Sequence, residues 1–457
     1  MEPPPPSPPS QPLPPPPPHR PRRARARRRG FASAFDETAG WDGGPRPRRV
    51  ALVLGGGGLK GFAHIGVLRA LEERGIQPAL YAGTSIGALV AAAASAGCPT
   101  EELAARAGAL ARRDLFQWDH MAVLVGRLRA PSLYAGTALR ALVERVVPEG
   151  PFERWRRPLL VNTVDVARGT TVVWGLPGLA QASVRDAVYA SCALPGFFPP
   201  GQVDGRVCVD GGTVDSLPLA PTALAPGALG GPPDVIIAVD VGNVGFAHEA
   251  AIARQGFAAV FMRSASVMMH TLQTAALSRF DARAEACPGP PVLLVRPRVG
   301  HLGWMTFGHA AELIEAGHAA AREALADWDA VCAAPGGLFP RRAVRVEVDR
   351  ARCTGCGLCV ALAPDAMALD AAGRAVPVRR DVVWSPAEGG FVAQCPTAAI
   401  RATPIAGAEG ATVPLAFDED GALRRPARGG AGLPTQTSLD RLSIGRSVLI
   451  WQEAGRE

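Results

Sequence analysis

The stretch VALVLGGGGLKG, residues 50–61, joins an apolar, β-branched run to consecutive glycines and indicates a buried strand that ends in a glycine loop. Apolar residues at helical spacing follow over 62–74, and a second short strand over 79–82 leads into a helix over 86–96. This alternation of strand and helix predicts a mainly parallel sheet that helices cover on both faces. Further strands are expected at 159–164, 170–174, 206–209, 235–239 and, last, 291–296.

Between the second strand and its helix stands Gly83-Thr84-Ser85-Ile86-Gly87, which has the form Gly-x-Ser-x-Gly. So sharp a turn requires small residues on both sides of the serine, here Gly83 and Gly87, and it exposes the hydroxyl above the following helix. The glycine loop offers N–H groups that no side chain covers, which suit an oxyanion. Asp210 follows another expected strand and can serve as a base. Together these residues predict acyl transfer with Ser85 as the nucleophile.

Three motifs give residues 48–330 a resemblance to the patatin-like phospholipase family. They are the glycine loop Gly56-Gly57-Gly58-Leu59-Lys60-Gly61, the elbow Gly83-Thr84-Ser85-Ile86-Gly87, and Asp210-Gly211-Gly212. Residues 190–200 also resemble the family's proline-containing segment ahead of the aspartate. Lys60, the only lysine in the chain, departs from the arginine that is frequent in the family; it keeps the charge but loses the planar fork.

The resemblance implies a three-layer α/β/α domain in which Ser85 and Asp210 form a catalytic dyad. Asp210 would take the Ser85 proton directly, and N–H groups around Gly57 and Gly58 would hold the oxyanion. The implied substrate is a fatty acyl ester of a phospholipid, lysophospholipid or glyceride, met at a membrane surface or in micelles. Hydrolysis of such an ester needs no cofactor.

Two alternatives stay open at the level of sequence. A Ser-Asp-His triad in that chain order is one, because His301, His309 and His318 all follow Asp210. The other is a hydrolase domain that serves only as a scaffold for electron transfer or redox sensing. We interpret His64 as a helix-packing residue and Asp165 as a turn residue.

Four of the nine cysteines form a pattern, Cys353-x-x-Cys356-x-x-Cys359 followed by Cys395-Pro396. Three thiolates on one loop with a distant fourth before proline are typical of a [4Fe–4S] cluster. Residues 344–405 resemble a bacterial-type ferredoxin, a small α+β domain. Two-cluster members have a further Cys-Pro where this chain has Ala363-Pro364, so the resemblance implies one cluster.

The alternatives for these cysteines are a zinc site, which favours two separated pairs, and disulfides, which are rare inside cells. Strands over 345–348 and 399–404 are expected to flank the cluster. Its role is left open between electron transfer to a partner protein, redox regulation of the hydrolase and stabilisation of the domain. Ester hydrolysis consumes no electrons, so the cluster is not expected to take part in the chemistry at Ser85.

Charge and composition limit the partners and the structure that the remaining segments can have. The first fifty residues contain ten arginines and four acidic residues, whereas the rest of the chain is nearly neutral. The body lacks a basic stripe with interleaved aromatic residues, which argues against a nucleic-acid partner. Residues 1–47, rich in proline and arginine, are expected to be disordered, and their arginines suit peripheral contact with anionic lipid.

We find no apolar core of a secretory signal and no window that is apolar enough for a transmembrane helix. These observations, with free thiols and an oxygen-sensitive cluster, predict a cytoplasmic protein. Residues 331–343 are expected to link the two domains, and 406–457 to form a low-complexity tail.

Overall fold

The computed structural model describes residues 48–116, 132–242, 256–287 and 289–405. The expected N-terminal extension and C-terminal tail lie outside these residues. Among the described helices, none combines the length and the hydropathy needed to cross a membrane.

A large sheet of nine strands forms the centre of the described hydrolase region. Its strands are β1 (Val50–Leu54), β2 (Leu80–Thr84), β3 (Leu159–Asp165), β4 (Thr170–Trp174), β5 (Gly201–Val203), β6 (Arg206–Asp210), β7 (Val235–Val239), β8 (Val292–Val295) and β9 (Leu338–Phe339). The order is β5-β6-β3-β2-β1-β7-β8-β9, with β4 paired to β3. The strands from β3 to β9 in that order are parallel, and β4, β5 and β6 pair in antiparallel fashion. The prediction of a mainly parallel sheet is therefore confirmed.

Helices cover both faces of this sheet. They are α1 (Ala63–Glu73), α2 (Ile86–Ala96), α3 (Thr100–Ala109), α4 (Gly136–Val146), α5 (Val184–Cys192), α6 (Leu219–Ala223), α7 (Phe257–Ala286), α8 (Ala310–Leu325) and α9 (Trp328–Ala333). Successive residues of β1 alternate between two hydrophobic clusters: Leu52 and Leu54 pack with α1, α2 and α8, whereas Ala51 and Val53 pack with α6 and α7. Because both faces of a parallel strand are buried, its sequence is apolar throughout.

Residues 331–343 do more than link two domains, contrary to our expectation. They complete α9 and supply β9, in which Leu338 pairs with Val292 and Phe339 pairs with Leu293. The large sheet therefore extends one strand beyond β8. The side chains of Leu338 and Phe339 are fully buried, but a strand of two residues is too short for periodicity to reveal.

The cysteine-bearing unit has its own small sheets and core. Strand β10 (Arg342–Val348) pairs in antiparallel fashion with β13 (Asp381–Trp384) and β14 (Ile400–Pro404). A second pair joins β11 (Met367–Leu369) and β12 (Ala375–Pro377), and two short helices, α10 (Leu358–Leu362) and α11 (Gly390–Ala393), complete the unit. The two strands expected over 345–348 and 399–404 are present, and they pair with each other. The buried residues of this core include Val346, Met367, Phe391 and Ile400.

Candidate active site and cysteine centre

Strand β3 brings the nucleophile and the candidate base together. Thr84, the last residue of β2, pairs with Asn162, and the next residue of β3, Thr163, pairs with Asp210 at the end of β6. Strands β2 and β6 thus follow one another along the same side of β3. The chain leaves β2 at Ser85, beside the point where β6 ends at Asp210.

The backbone at Ser85 has the conformation expected of a nucleophile elbow. Its φ of 57° and ψ of −129° lie where a non-glycine residue is strained. The flanking glycines make room for the turn: a Cβ on Gly83 would lie 2.5 Å from the Gly87 carbonyl oxygen, and a Cβ on Gly87 would lie 2.1 Å from the Leu54 carbonyl oxygen. Glycine is therefore required at both positions.

The Ser85 side chain lies close enough to the Asp210 carboxylate to lower its pKa. Asp210 is 4% exposed, and its Oδ1 accepts a hydrogen bond of 2.8 Å from the Gly212 N–H. Burial raises the pKa of Asp210 to about 6, although the Ser85 side chain and the Gly212 N–H both favour the ionised form. Gly211 approaches β3 so closely that a Cβ on it would lie 2.5 Å from the Asn162 carbonyl oxygen. The Asp-Gly-Gly motif thus positions a buried carboxylate next to the serine.

The glycine loop passes beside the elbow, and a Cβ on Gly56 would lie 3.3 Å from the Ser85 Cβ. Several of its N–H groups already have partners: Gly55 N donates to Val239 O, Gly56 N to Ser216 Oγ, and Leu59 N to Trp304 O. For Gly57 and Gly58 the structure shows no such partner within the described residues. Gly58 has a φ of +60°, and a Cβ on Gly61 would lie 2.2 Å from the Ile86 Cγ2.

Lys60 lies at the base of this loop and is 8% exposed. Burial and then the positive charge of Arg263 lower its pKa, whereas the carboxylate of Asp240 raises it. His64, fully buried one turn further on, donates from Nε2 to the Gly55 carbonyl oxygen at 2.8 Å. Burial lowers the pKa of His64 to about 4, so this histidine is neutral near pH 7 and fixes the start of the loop, in agreement with a packing role.

A cavity of 680 Å³ opens at Ser85 and Asp210. Its walls are mainly apolar and come from α2, α3, α4, α7 and the loop before α8; the lining includes Leu89, Leu103, Leu139, Phe197, Phe198, Met262, Met269 and Trp304. Polar groups are few and include Lys60, Asp240, Arg263, His270 and Gln273. An apolar cavity with a few polar side chains in its lining suits a ligand with a hydrocarbon chain.

The three histidines of the triad alternative pair with glutamates instead. His301 and His309 both contact Glu312 at 2.7 Å, and His318 contacts Glu73 at 2.8 Å. In the part of the chain that the structure describes, none of them contacts Ser85 or Asp210. Asp165 accepts hydrogen bonds from the N–H groups of Ala167 and Arg168, as expected of a turn residue.

Cys353, Cys356, Cys359 and Cys395 line one small cavity at the end of the β10–β14 sheet. The loop that carries three of them turns at Gly355 and Gly357, with φ of +75° and +74°. Backbone N–H groups point at two sulfurs, since Ala375 N lies 3.4 Å from Cys353 Sγ and Ala399 N lies 3.4 Å from Cys395 Sγ. Such N–H donors stabilise thiolates that bind an iron–sulfur cluster.

The separation of these cysteines also bears on the choice of metal. Across the described residues, no three His, Cys, Asp or Glu side chains converge closely enough to hold a single metal ion. A zinc ion would need its thiolates about 2.3 Å from one centre. Among the described residues, the cysteines therefore do not converge on a single-ion site.

Comparison with known families assigns both regions. Residues 52–223 match the model of the patatin-like phospholipase family, and residues 346–389 match a 4Fe-4S single cluster domain. The chain thus carries a patatin-like phospholipase domain followed by a single-cluster iron–sulfur domain. Both resemblances that the sequence suggested are confirmed, and Cys395 lies just outside the second match.

Relatives share the first domain over part of their length. An uncharacterized NTE family protein of Mycobacterium bovis is 39% identical over 180 residues, which cover 38% of this chain and 46% of that protein. A lysophospholipase of Mycosarcoma maydis is 31% identical over 299 residues, 63% of this chain and 15% of that protein. Among solved structures, VipD of Legionella pneumophila is 15% identical with a TM-score of 0.39 over 62% of this chain and 67% of VipD. The chain thus spans less than half the length of either curated relative.

Proposed function

We propose that this protein hydrolyses fatty acyl esters of phospholipids or lysophospholipids with a Ser85–Asp210 dyad. The observation that carries the proposal is that the Ser85 side chain and the buried Asp210 carboxylate lie next to one another in the lining of one apolar cavity. The family match and the lysophospholipase named among the relatives support this substrate class.

In this mechanism Asp210 accepts the Ser85 proton as the serine oxygen attacks the ester carbonyl. The N–H groups of Gly57 and Gly58 then hold the oxyanion, because those of Gly55, Gly56 and Leu59 have other partners. Asp210 returns its proton to the leaving alcohol, and a water molecule hydrolyses the acyl-enzyme. The acyl chain occupies the apolar part of the cavity.

The experiment combines hydrolysis of a lysophospholipid with labelling by a fluorophosphonate. Ser85→Ala should abolish both, and Asp210→Asn should slow both by about 10²- to 10⁴-fold, which is the usual contribution of a general base. His301→Gln and His309→Gln should leave both rates unchanged. Labelling that survives in Ser85→Ala would exclude the dyad, and a large loss in a histidine variant would support a triad.

For the second domain we propose one [4Fe–4S] cluster on Cys353, Cys356, Cys359 and Cys395. When bound, such a cluster supplies a one-electron redox couple, which suits electron transfer to a partner protein or redox regulation of the hydrolase. Iron and sulfide analysis, with electron paramagnetic resonance after reduction, tests the assignment. Cys395→Ala should lose the cluster signal, and a stoichiometric zinc content in the purified protein would contradict it.

A further inference from the structure

Arg296 lies between the iron–sulfur domain and the wall of the substrate cavity. Its Nη1 donates to the Pro386 carbonyl oxygen at 2.8 Å, and its Nε donates to Asp240 Oδ2 at 3.2 Å. Pro386 belongs to the segment 385–390, which joins β13 to α11 and leads to Cys395. One guanidinium therefore contacts both the loop before a cluster cysteine and a carboxylate of the cavity.

Asp240 in turn belongs to a segment that packs on the glycine loop. It is 4% exposed, its Oδ1 accepts from the Gly242 N–H at 3.0 Å, and its charge acts on Lys60. Between these contacts Val241 lies against Gly57, where a Cβ would be 2.7 Å from Val241 Cγ2. A shift of Asp240 would therefore move Val241 against Gly57 and change the position of the N–H groups proposed to hold the oxyanion.

The same segment of the iron–sulfur domain also rests on α7. Ser278 Oγ on this helix donates to the Ala387 carbonyl oxygen at 3.2 Å. Gln273, one and a half turns earlier on α7, accepts a hydrogen bond of 3.1 Å from Ser216 N. Ser216 Oγ accepts the hydrogen bond from Gly56 N. Two chains of contacts thus run from residues 385–390 to the glycine loop. The one through Arg296 and Asp240 ends at Gly57, and the one through α7 and Ser216 ends at Gly56.

We propose that Arg296 is a positioning residue through which the iron–sulfur domain holds the glycine loop in its oxyanion-binding geometry. The inference rests on the proposed function. The Arg296 side chain is 34% exposed but that of Asp240 only 6%, so loss of Arg296 also lowers the free energy of unfolding by leaving a buried carboxylate without its partner. A control variant must therefore match this cost. The effect of Arg296 on the site is geometric: without Arg296, the buried Asp240 carboxylate loses a neutralising cation and draws Lys60 and the loop toward itself.

The chain offers a matched control in Arg342. Its Nη1 donates to Asp327 Oδ2 at 2.9 Å and so joins the start of the iron–sulfur domain to the end of α8. The two pairs have similar burial, with side-chain exposures of 24% and 6% for Arg342 and Asp327 against 34% and 6% for Arg296 and Asp240. Asp327 does not line the cavity. Arg342→Gln therefore breaks a comparable contact at a distance from Ser85.

The experiment measures the second-order rate constant for labelling of Ser85 by a small fluorophosphonate. It compares the full-length protein, Arg296→Gln and Arg342→Gln, each with its iron bound and after iron removal. The visible absorption of the cluster and the midpoint of urea unfolding are recorded for the same samples. The labelling rate reports the geometry at Ser85 without any contribution from lipid binding.

We expect Arg296→Gln to label about tenfold more slowly, and Arg342→Gln to label at the rate of the unaltered protein, with equal unfolding midpoints in the two variants. Iron removal should slow the unaltered protein and Arg342→Gln by a similar factor, because the segment before Cys395 loses its anchor. It should have little further effect on Arg296→Gln. Arg296→Lys should recover part of the rate, since a lysine keeps the charge beside Asp240 but not the second N–H group.

An unchanged rate in Arg296→Gln, or an equal effect of iron removal on all three proteins, would overturn the inference. If Arg296→Gln fails to fold, Ser385→Ala tests the inference in its place. This substitution removes the contact between Ser385 Oγ and Asp281 on α7 and leaves the cavity lining unchanged. Ser385→Ala should lower both the labelling rate and its response to iron removal. Failure of the proposed function would give a different result. Either the fluorophosphonate would not label the unaltered protein, or it would still label Ser85→Ala.

Discussion

Ser191 holds the turn that carries Ser85: the Ser85 N–H donates to Ser191 Oγ at 2.8 Å, and that hydroxyl donates to the Asn162 carbonyl oxygen at 2.7 Å. Ser191 is fully buried on α5. Asn162 precedes Thr163, the residue of β3 that pairs with Asp210. One hydroxyl therefore connects the strained elbow to the strand that carries the proposed base, and it fixes the separation of Ser85 and Asp210.

Ser191→Ala should slow acylation of Ser85 by about tenfold or more. The substitution leaves the Ser85 N–H and the Asn162 carbonyl without their partner, and each unsatisfied buried group costs about 1–3 kcal/mol. The elbow can relieve this cost by relaxing away from its strained φ. Fluorophosphonate labelling and ester hydrolysis should fall together, since both depend on the position of Ser85.

Ser95→Ala provides the control for this prediction. Ser95 is also fully buried, and its hydroxyl accepts from Trp155 Nε1 at 2.8 Å, far along α2 from the elbow. We expect Ser95→Ala to lower the free energy of unfolding by an amount similar to Ser191→Ala and to leave the labelling rate unchanged. Equal losses of activity in the two variants would show that Ser191 acts only through general stability.

Sequence reasoning selected the candidate site residues because each follows a strand that apolar composition reveals. Ser85 follows β2, Asp210 ends β6, and the glycine loop follows β1. Glycines at such points indicate close backbone approach, and the structure shows that approach at Gly83 and Gly87. Local sequence carries this information because strand, turn and helix follow one another within a few residues.

The supporting residues escaped prediction because their partners are distant in sequence. Ser191 bonds to a residue 106 positions away, Gln273 to one 57 positions away, and Arg296 to one 90 positions away. Gln273 and Arg296 belong to no motif, and although Ser191 lies in the family-like segment 190–200, no spacing there reveals its contact with Ser85. His270, which lines the cavity from α7, was missed for the same reason. A pattern of apolar residues predicts that a helix is buried, but not which cavity its polar residues face.

The ionisation of Asp210 should control the pH dependence of acylation. Burial raises its pKa to about 6, and only the carboxylate can accept the Ser85 proton. The labelling rate should therefore rise about tenfold per pH unit below pH 6 and level off above about pH 7. A carboxyl inflection barely moves on heating, whereas an imidazole inflection moves to lower pH. A strongly temperature-dependent inflection would therefore indicate a histidine base.

Asp210→Asn should stabilise the fold above pH 6 while it removes activity. The native protein holds the Asp210 proton up to about pH 6, whereas the unfolded chain releases it near pH 3.8. The unfolded state thus binds fewer protons across this window, so the free energy of unfolding decreases as the pH rises. The amide does not ionise, and its gain should approach about 3 kcal/mol at neutral pH and vanish below pH 3.8.

Urea unfolding of the unaltered protein and of Asp210→Asn at neutral and acidic pH measures this gain. Glu144→Gln, which removes an exposed carboxylate on α4, serves as the surface control. If Asp210→Asn raises the free energy of unfolding equally at both pH values, then ionisation of Asp210 does not destabilise the fold. In that case the raised pKa, and with it the predicted inflection of the labelling rate, would be wrong.

Gly317 sets the approach of α8 to α1 and should not tolerate a methyl group. A Cβ on Gly317 would lie 1.9 Å from the Ala63 carbonyl oxygen, and one on Gly66 would lie 1.8 Å from the Ile314 carbonyl oxygen. Because both neighbours are backbone atoms, the helices must separate, and α1 directly follows the glycine loop. We expect Gly317→Ala to lower the free energy of unfolding by about 3 kcal/mol and to slow acylation.

Gly108 on α3 makes the matched comparison, because a Cβ there meets no atom within 4 Å. Gly108→Ala should raise the free energy of unfolding by about 0.5–1 kcal/mol through helix propensity alone. Urea midpoints of the two variants therefore move in opposite directions if the α1–α8 contact is as close as the structure shows. A Gly317→Ala protein as stable as Gly108→Ala would mean that α1 and α8 lie farther apart than the structure shows. Contacts other than the α1–α8 packing would then have to fix the position of the glycine loop.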